Sequence, residues 1–236
     1  AELAPEDRDA VVSLGSLFYE PAWLFYREEA ARRVAGDGVV DSLAQLRGWR
    51  LNVGTAGSGV PRLFGTLLDV NRIERDSLHL SELAQTPATV EFLEGRLDAV
   101  VFASAPESLI VQMLLQTPGV RLMNFAQSEA YARRFGYLTP VVLPQGVVDL
   151  AANQPERDMR LVASTTSLLA GSGTHPAILQ LFAQSAVGLH GGASWFNRAR
   201  QYPSLEHGEV RLSPEAVRAI ENGPPFLQRY LPFWLA

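Results

Sequence analysis

Apolar and polar positions along the chain fall into two alternating rhythms, short apolar runs and helical stripes, separated by glycine and proline. Val11 to Phe25 carries apolar stretches rich in Phe, Tyr and Trp, interrupted at Glu20-Pro21. Proline favours extended neighbours, so the segment predicts a strand or a pair of short strands. Arg27 to Val34 is rich in Ala, Glu and Arg and stops at Gly36-Asp37-Gly38, which predicts a short helix. Arg50 to Val53 is a strand, followed by the glycine loop Gly54-Thr55-Ala56-Gly57-Ser58-Gly59 and then by Leu63, Phe64, Leu67 and Leu68 at helical spacing.

The same unit recurs downstream. Ser77 to Leu80 predicts a strand, with Thr86 as cap and Pro87 as first residue of a helix that ends at Gly95. The apolar run Leu97 to Phe102 predicts a buried strand, and Ser104-Ala105-Pro106-Glu107 the start of a helix bearing Leu109, Ile110, Met113 and Leu114. Val120 to Phe125 is a further strand, and Ser128 caps a helix through Arg134. Leu138 to Leu143, bracketed by prolines, is extended and returns the chain toward another lobe, and Met159 to Leu169 is strand material. His175-Pro176 opens a helix through about Leu189, Gly188 to Ala193 forms a loop, and Ser213-Pro214 with Gly223-Pro224-Pro225 delimit the last helix. Strands alternating with helices imply an α/β fold with a mostly parallel sheet covered on both faces.

Composition narrows the chemistry. The 236 residues contain no cysteine, which excludes disulfides, thiolate metal sites and cysteine nucleophiles. All 20 basic residues are arginine, so there is no lysine for a Walker-type phosphate loop, a Schiff base or a Ser–Lys dyad. A net charge of −5 with scattered arginines argues against nucleic acid as a partner. No run reaches the roughly 20 apolar residues of a membrane span, and no signal-type apolar core opens the chain. Both ends look cut, and residues 226–236 are strongly apolar.

The glycine loop is the main candidate site. Glycines let a backbone approach a ligand closely, and the first turn of a following helix offers unpaired N–H groups, a combination suited to a carboxylate or phosphate. Its spacing, G-x-x-G-x-G, is not that of the dinucleotide fingerprint. A second loop, Ser104 to Glu107, follows another strand and would lie at the same sheet edge, where open parallel sheets bind ligands. The alternatives are a tight turn that holds nothing and an ordinary helix start. No catalytic residue is assigned: Ser58 and Ser172 lack the glycines of a nucleophile elbow. No metal and no cofactor is expected either, since His79, His175, His190 and His207 have no ligand spacing. A strongly raised pKa at Asp98 or Glu107 would favour an enzyme instead.

Several stretches together resemble the TAXI-type solute-binding subunits of TRAP transporters. They are Leu17 to Arg27, Val53 to Gly59, Leu93 to Ala99, Leu143-Pro144-Gln145-Gly146 and Gly223 to Trp234. The resemblance covers nearly the whole chain. It implies a type II periplasmic-binding-protein fold, in which two α/β lobes close on a small organic anion such as a dicarboxylate or acidic amino acid. It places Thr55, Ala56, Gly57, Ser58 and Gly59 at the ligand carboxylate, Tyr19 and Glu20 near the hinge, and Ser104 and Ala105 on the opposing loop.

It also implies a periplasmic or extracytoplasmic, membrane-anchored receptor that is not an enzyme and works with membrane transporter subunits. The expected layout is a crossing strand and part of lobe one in 1–45, lobe two in 46–137, and the return crossover with the remainder of lobe one in 138–236. About half of lobe one precedes the aromatic strand in that family, so lobe one is expected to be incomplete, leaving a sheet edge open to self-association. The competing readings are an enzyme on the same bilobal fold, using the glycine loop for phosphate or carboxylate, and an interaction domain that has lost its ligand.

Overall fold

The computed structural model describes residues 8–206 and 210–223. Among the described residues, seven strands and seven helices follow one another, mostly in alternation, as the two rhythms of the sequence predict. The chain forms two compact units, one of residues 1–19 with 165–236 and the other of residues 20–164.

Strand β1, Val11–Arg27, runs without a break through Glu20-Pro21 and belongs to both units. The aromatic run explains the continuity in the second unit, where Trp23, Leu24, Phe25 and Tyr26 are all essentially inaccessible and the segment is paired on both edges. Pro21 lies just before the pairs with β4 begin at Ala22, so its missing N–H removes no bond from those registered pairs.

In the 20–164 unit, β2 (Arg50–Asn52) lies between two parallel neighbours, β3 (His79–Ser81) and β4 (Ala99–Ala103). Helix α2 (Val60–Val70) connects β2 to β3 and buries Phe64, Leu67 and Leu68; α3 (Gln85–Leu93) connects β3 to β4 and buries Ala88 and Phe92. β4 then pairs antiparallel with β1, from Ala22 opposite Ala103 to Tyr26 opposite Ala99. β5 (Val120–Leu122) pairs antiparallel with Phe25 to Arg27. β6 (Thr139–Leu143) pairs antiparallel with the first part of β7 (Met159–Gly171). The parallel arrangement is thus β3-β2-β4, and β1 joins it antiparallel.

Five local expectations shift. The helix expected over Arg27 to Val34 is one turn, α1 (Glu28–Ala31). The strand expected at Ser77 begins two residues later, because residues 75–77 form a 3₁₀ turn. α3 starts at Gln85 with Ala84 in the cap position, ahead of the expected Thr86-Pro87. α4 (Leu109–Gln116) starts after Ser108 rather than at Ser104, and it buries Val111 and Leu114 while Leu109 and Met113 face outward. α5 (Ser128–Arg134) has Ser128 as its first residue, with Gln127 in the cap position.

In the other unit, the first half of β1 packs Val12 and Leu14 against Leu179 and Ala183 of α6 (Pro176–His190) and Ala216 and Ala219 of α7 (Pro214–Asn222). Alanines at the α6–α7 contact let two helices approach closely. Both helices begin as their sequences predict. His175 Nδ1 accepts from the Ala177 N–H at 3.2 Å, so this histidine is a cap. Ser213 Oγ accepts from the Ala216 N–H at 3.4 Å and donates to Glu215 Oε2 at 2.8 Å, a buried cap followed by Pro214. Gly223, at φ +70°, ends α7. The apolar segment 226–236 lies outside the described residues, as does His207. No helix among the described residues is long and apolar enough to cross a membrane.

Candidate functional site

Three connections leave the carboxyl ends of the parallel strands β3, β2 and β4, and so emerge at one edge of the sheet. They are residues 82–84, 53–59 and 104–108. The middle one is the glycine loop.

Val53 continues the pairing of β2, its N–H donating to the Ser81 carbonyl at 3.0 Å. Gly54 then turns the chain away at φ +80°, a conformation that side chains disfavour. Thr55 to Gly59 are exposed. The turn is held from within: the Ser58 N–H and the Ser58 hydroxyl both donate to the Thr55 carbonyl, at 2.9 and 2.8 Å. The hydroxyl of Ser58 is therefore engaged in the loop itself. Among the described residues no hydrogen bond is donated by the Thr55 hydroxyl or by the amides of Ala56, Gly57 and Gly59. A Cβ on Gly57 or Gly59 would meet nothing within 4 Å, so the approach to these amides is open. α2 begins immediately afterwards, and its eleven residues add partial positive charge at this end. The arrangement offers a hydroxyl and several main-chain donors to an anionic oxygen.

Ser104 and Ala105, on the neighbouring connection, are half-buried. Their position is fixed by a residue that the sequence reading did not assign to the site: the indole of Trp23, itself inaccessible, donates to the Ser104 carbonyl at 2.8 Å. Trp23 also stacks on Phe25, with ring planes 5° apart. The Ser108 N–H donates to the Ala105 carbonyl at 3.1 Å, closing the turn before α4. Buried aromatic strands read as core in a sequence, and nothing in the composition of β1 distinguishes a tryptophan that also holds a loop.

Glu20 lies two residues beyond the Ala22–Ala103 pair, hence at the same sheet end as Ser104 and Ala105. Tyr19 belongs to the other unit, where its ring meets the edge of Tyr202 at 5.2 Å. Burial, then the hydrogen bond with Tyr19, pushes the Tyr202 hydroxyl pKa well above its ordinary value, so this phenol stays neutral.

Asp98 stands at the opposite end of β4. It is 3% exposed and is gripped by Arg33 (Nη2 to Oδ1, 2.6 Å) and by Arg50, through Nη2 (2.9 Å), Nε (3.1 Å) and its main-chain N–H (2.9 Å). Burial alone would raise this carboxyl; the hydrogen bonds from Arg50, its backbone and Arg33 outweigh it and hold the pKa at about 2. The carboxylate is permanently charged and tied, with no proton to exchange near neutrality. A raised value at Asp98, which would have favoured an enzyme, is not found. Among the described residues no cluster of histidine and carboxylate is arranged for a metal.

The chain matches the NMT1-like family over residues 22–191. No curated protein matches it. Solved structures similar to it include a putative sulfonate ABC transporter's periplasmic sulfonate-binding protein SsuA from Methylobacillus flagellatus KT, at 10% identity and TM-score 0.44, covering 75% of this chain and 42% of that one. A Brucella ovis ABC transporter periplasmic binding protein with glutathione bound matches at 15% identity and TM-score 0.45, covering 77% and 45%. The regulatory domain of CcmR from Synechocystis PCC6803, in complex with 2-PG, matches at 12% identity and TM-score 0.47, covering 81% and 72%. This chain thus spans less than half the length of the first two. The family match takes in the second half of β1, the glycine loop, the Ser104 connection and α6, well over half of the sequence, and the chain belongs to the NMT1-like family.

Proposed function

We propose that this NMT1-like chain is an extracytoplasmic solute-binding receptor for a small organic anion, a dicarboxylate or an acidic amino acid, and that it serves a TRAP-type transporter rather than catalysing a reaction. On this reading it has the type II periplasmic-binding-protein architecture, with 46–137 as a whole lobe and 1–45 with 138–236 as part of the other. The resemblance implies a membrane anchor for the receptor as well.

The observation that carries the reading is the exposed turn at Thr55 to Gly59, where the Ala56, Gly57 and Gly59 amides and the threonine hydroxyl donate to no partner among the described residues and stand at the carboxyl end of parallel strands. Such a site binds by geometry and main-chain dipoles, which suits a carboxylate and needs neither lysine nor metal. Ser104 and Ala105 form the neighbouring wall, with Glu20 at the same sheet end and Tyr19 preceding it on β1.

A thermal-shift panel of succinate, L-glutamate and methanesulfonate tests this. Ligand at a hundred times its dissociation constant adds about 2.7 kcal/mol, a rise of roughly 5–10 °C for a chain of this size. Stabilisation by methanesulfonate alone would overturn the carboxylate assignment, and no stabilisation by any of the three would overturn the receptor reading for this ligand class.

Self-association is part of the same reading. The outer side of α6, Ile178, Leu181, Phe182 and Leu189, is exposed and uncharged, and a second copy would cover it without burying charge. Sedimentation velocity across a concentration series should show a concentration-dependent dimer that Phe182→Glu abolishes; a monomer throughout would exclude it.

A further inference from the structure

The last residue of β2 is a wholly buried asparagine, Asn52, two positions before the turn at Gly54. Its carboxamide is engaged on both sides. Oδ1 accepts from the Leu83 N–H at 2.7 Å and from the Ser81 hydroxyl at 3.1 Å, and Nδ2 donates to the Leu83 carbonyl at 3.1 Å. Main-chain pairing between β2 and β3 ends at Val53, which donates to the Ser81 carbonyl. Two residues beyond Ser81, where no strand runs, the side chain gives Leu83 both contacts that a paired strand would give it. The sheet's order is thereby carried into the connection between β3 and α3.

A buried carboxamide costs free energy to desolvate, and an apolar side chain would fill the same volume more cheaply. What the amide adds is orientation: its donor and acceptor fit one placement of the 82–84 connection against the root of the glycine loop. We propose that Asn52 is a positioning residue for the ligand site, locking the connection of residues 82–84 beside the glycine loop so that the loop leaves β2 in one direction and its free amides converge on one oxygen. This rests on the receptor reading above.

The test separates positioning from support of the fold by comparison with a second asparagine. Asn71 lies at the far end of α2, where its Nδ2 donates to the Leu67 carbonyl and the Tyr131 hydroxyl, both at 2.7 Å. In the 236-residue chain, Asn52→Ser, Asn52→Leu and Asn71→Leu are compared by calorimetric titration with succinate and L-glutamate, at a temperature where circular dichroism shows each variant folded. Asn52→Ser withdraws the polar contacts from Leu83 without adding charge beside the anion site and keeps a polar group on β2, so it reports even where Asn52→Leu does not fold.

Both leucine variants should lower the melting temperature. Only the Asn52 variants should weaken binding, by about tenfold or more, the equivalent of one hydrogen bond in the site. In the ligand-free protein they should also broaden the Gly57 and Gly59 amide resonances, which Asn71→Leu leaves sharp. Wild-type affinity in the Asn52 variants, or an equal loss in Asn71→Leu, overturns the inference and leaves the receptor reading standing. Failure of the wild-type chain to bind either anion overturns that reading and the inference with it.

Discussion

At Gly54 the backbone sits at φ +80°, and a Cβ added there would lie 3.2 Å from the Ser58 hydroxyl that closes the turn. Gly54→Ala is therefore expected to cost about 1–2 kcal/mol in denaturant unfolding and to disorder the donors it leads into. Gly57 differs, since a Cβ there enters open space. Gly57→Ala should leave the unfolding midpoint unchanged and weaken anion binding by covering the neighbouring amides. A drop in midpoint with unchanged affinity would assign this glycine to the turn alone. Asp98 makes a prediction of its own. Its pKa of about 2 in the folded chain, below the ordinary 3.8, means that its contribution is complete above the unfolded value and is lost as pH falls toward 2. The loss amounts to roughly 2 kcal/mol and appears as acid destabilisation between about pH 5 and 2. Asp98→Asn should remove that component of the pH profile and lower stability at pH 7, leaving Arg33 and Arg50 without their anion.

Among the elements, β1 carries the most consequences. Its second half is paired on both edges and inaccessible, and Trp23 within it holds the Ser104 connection. Trp23→Phe keeps a ring in the core but leaves the Ser104 carbonyl without its donor. It should cost about 1–3 kcal/mol and loosen Ser104 and Ala105, readable as faster amide exchange in residues 104–108. Retained stability with unchanged exchange would show that the indole contributes only packing. At the start of α7, Ser213→Ala removes a buried cap and should cost about 1 kcal/mol. Both ends of this helix were legible in the sequence, because caps act within four residues. The start of α3 was not: the chain begins its helix at Gln85, ahead of Thr86-Pro87, in a connection where Asn52, 31 residues away, holds Leu83. Local chemistry cannot register so distant a partner.

Across the whole molecule, the sequence by itself determined what depends on neighbours along the chain. Periodicity gave alternating strands and helices, glycine and proline gave the turns, and the absence of lysine and cysteine removed whole classes of chemistry. The glycine loop was legible because its conformational demands are written in its own residues. Only the tertiary structure decided which side chains serve that loop. It brought Ser104, Ala105 and Glu20 to one sheet end, turned the Ser58 hydroxyl inward, sent Asp98 to the opposite end between two arginines, and recruited Trp23 and Asn52 as supports. The physical reason is the range of the interactions: a turn or a cap is settled by residues within a few positions, whereas the hydrogen bonds that aim a loop come from strands whose adjacency exists only after the sheet has formed.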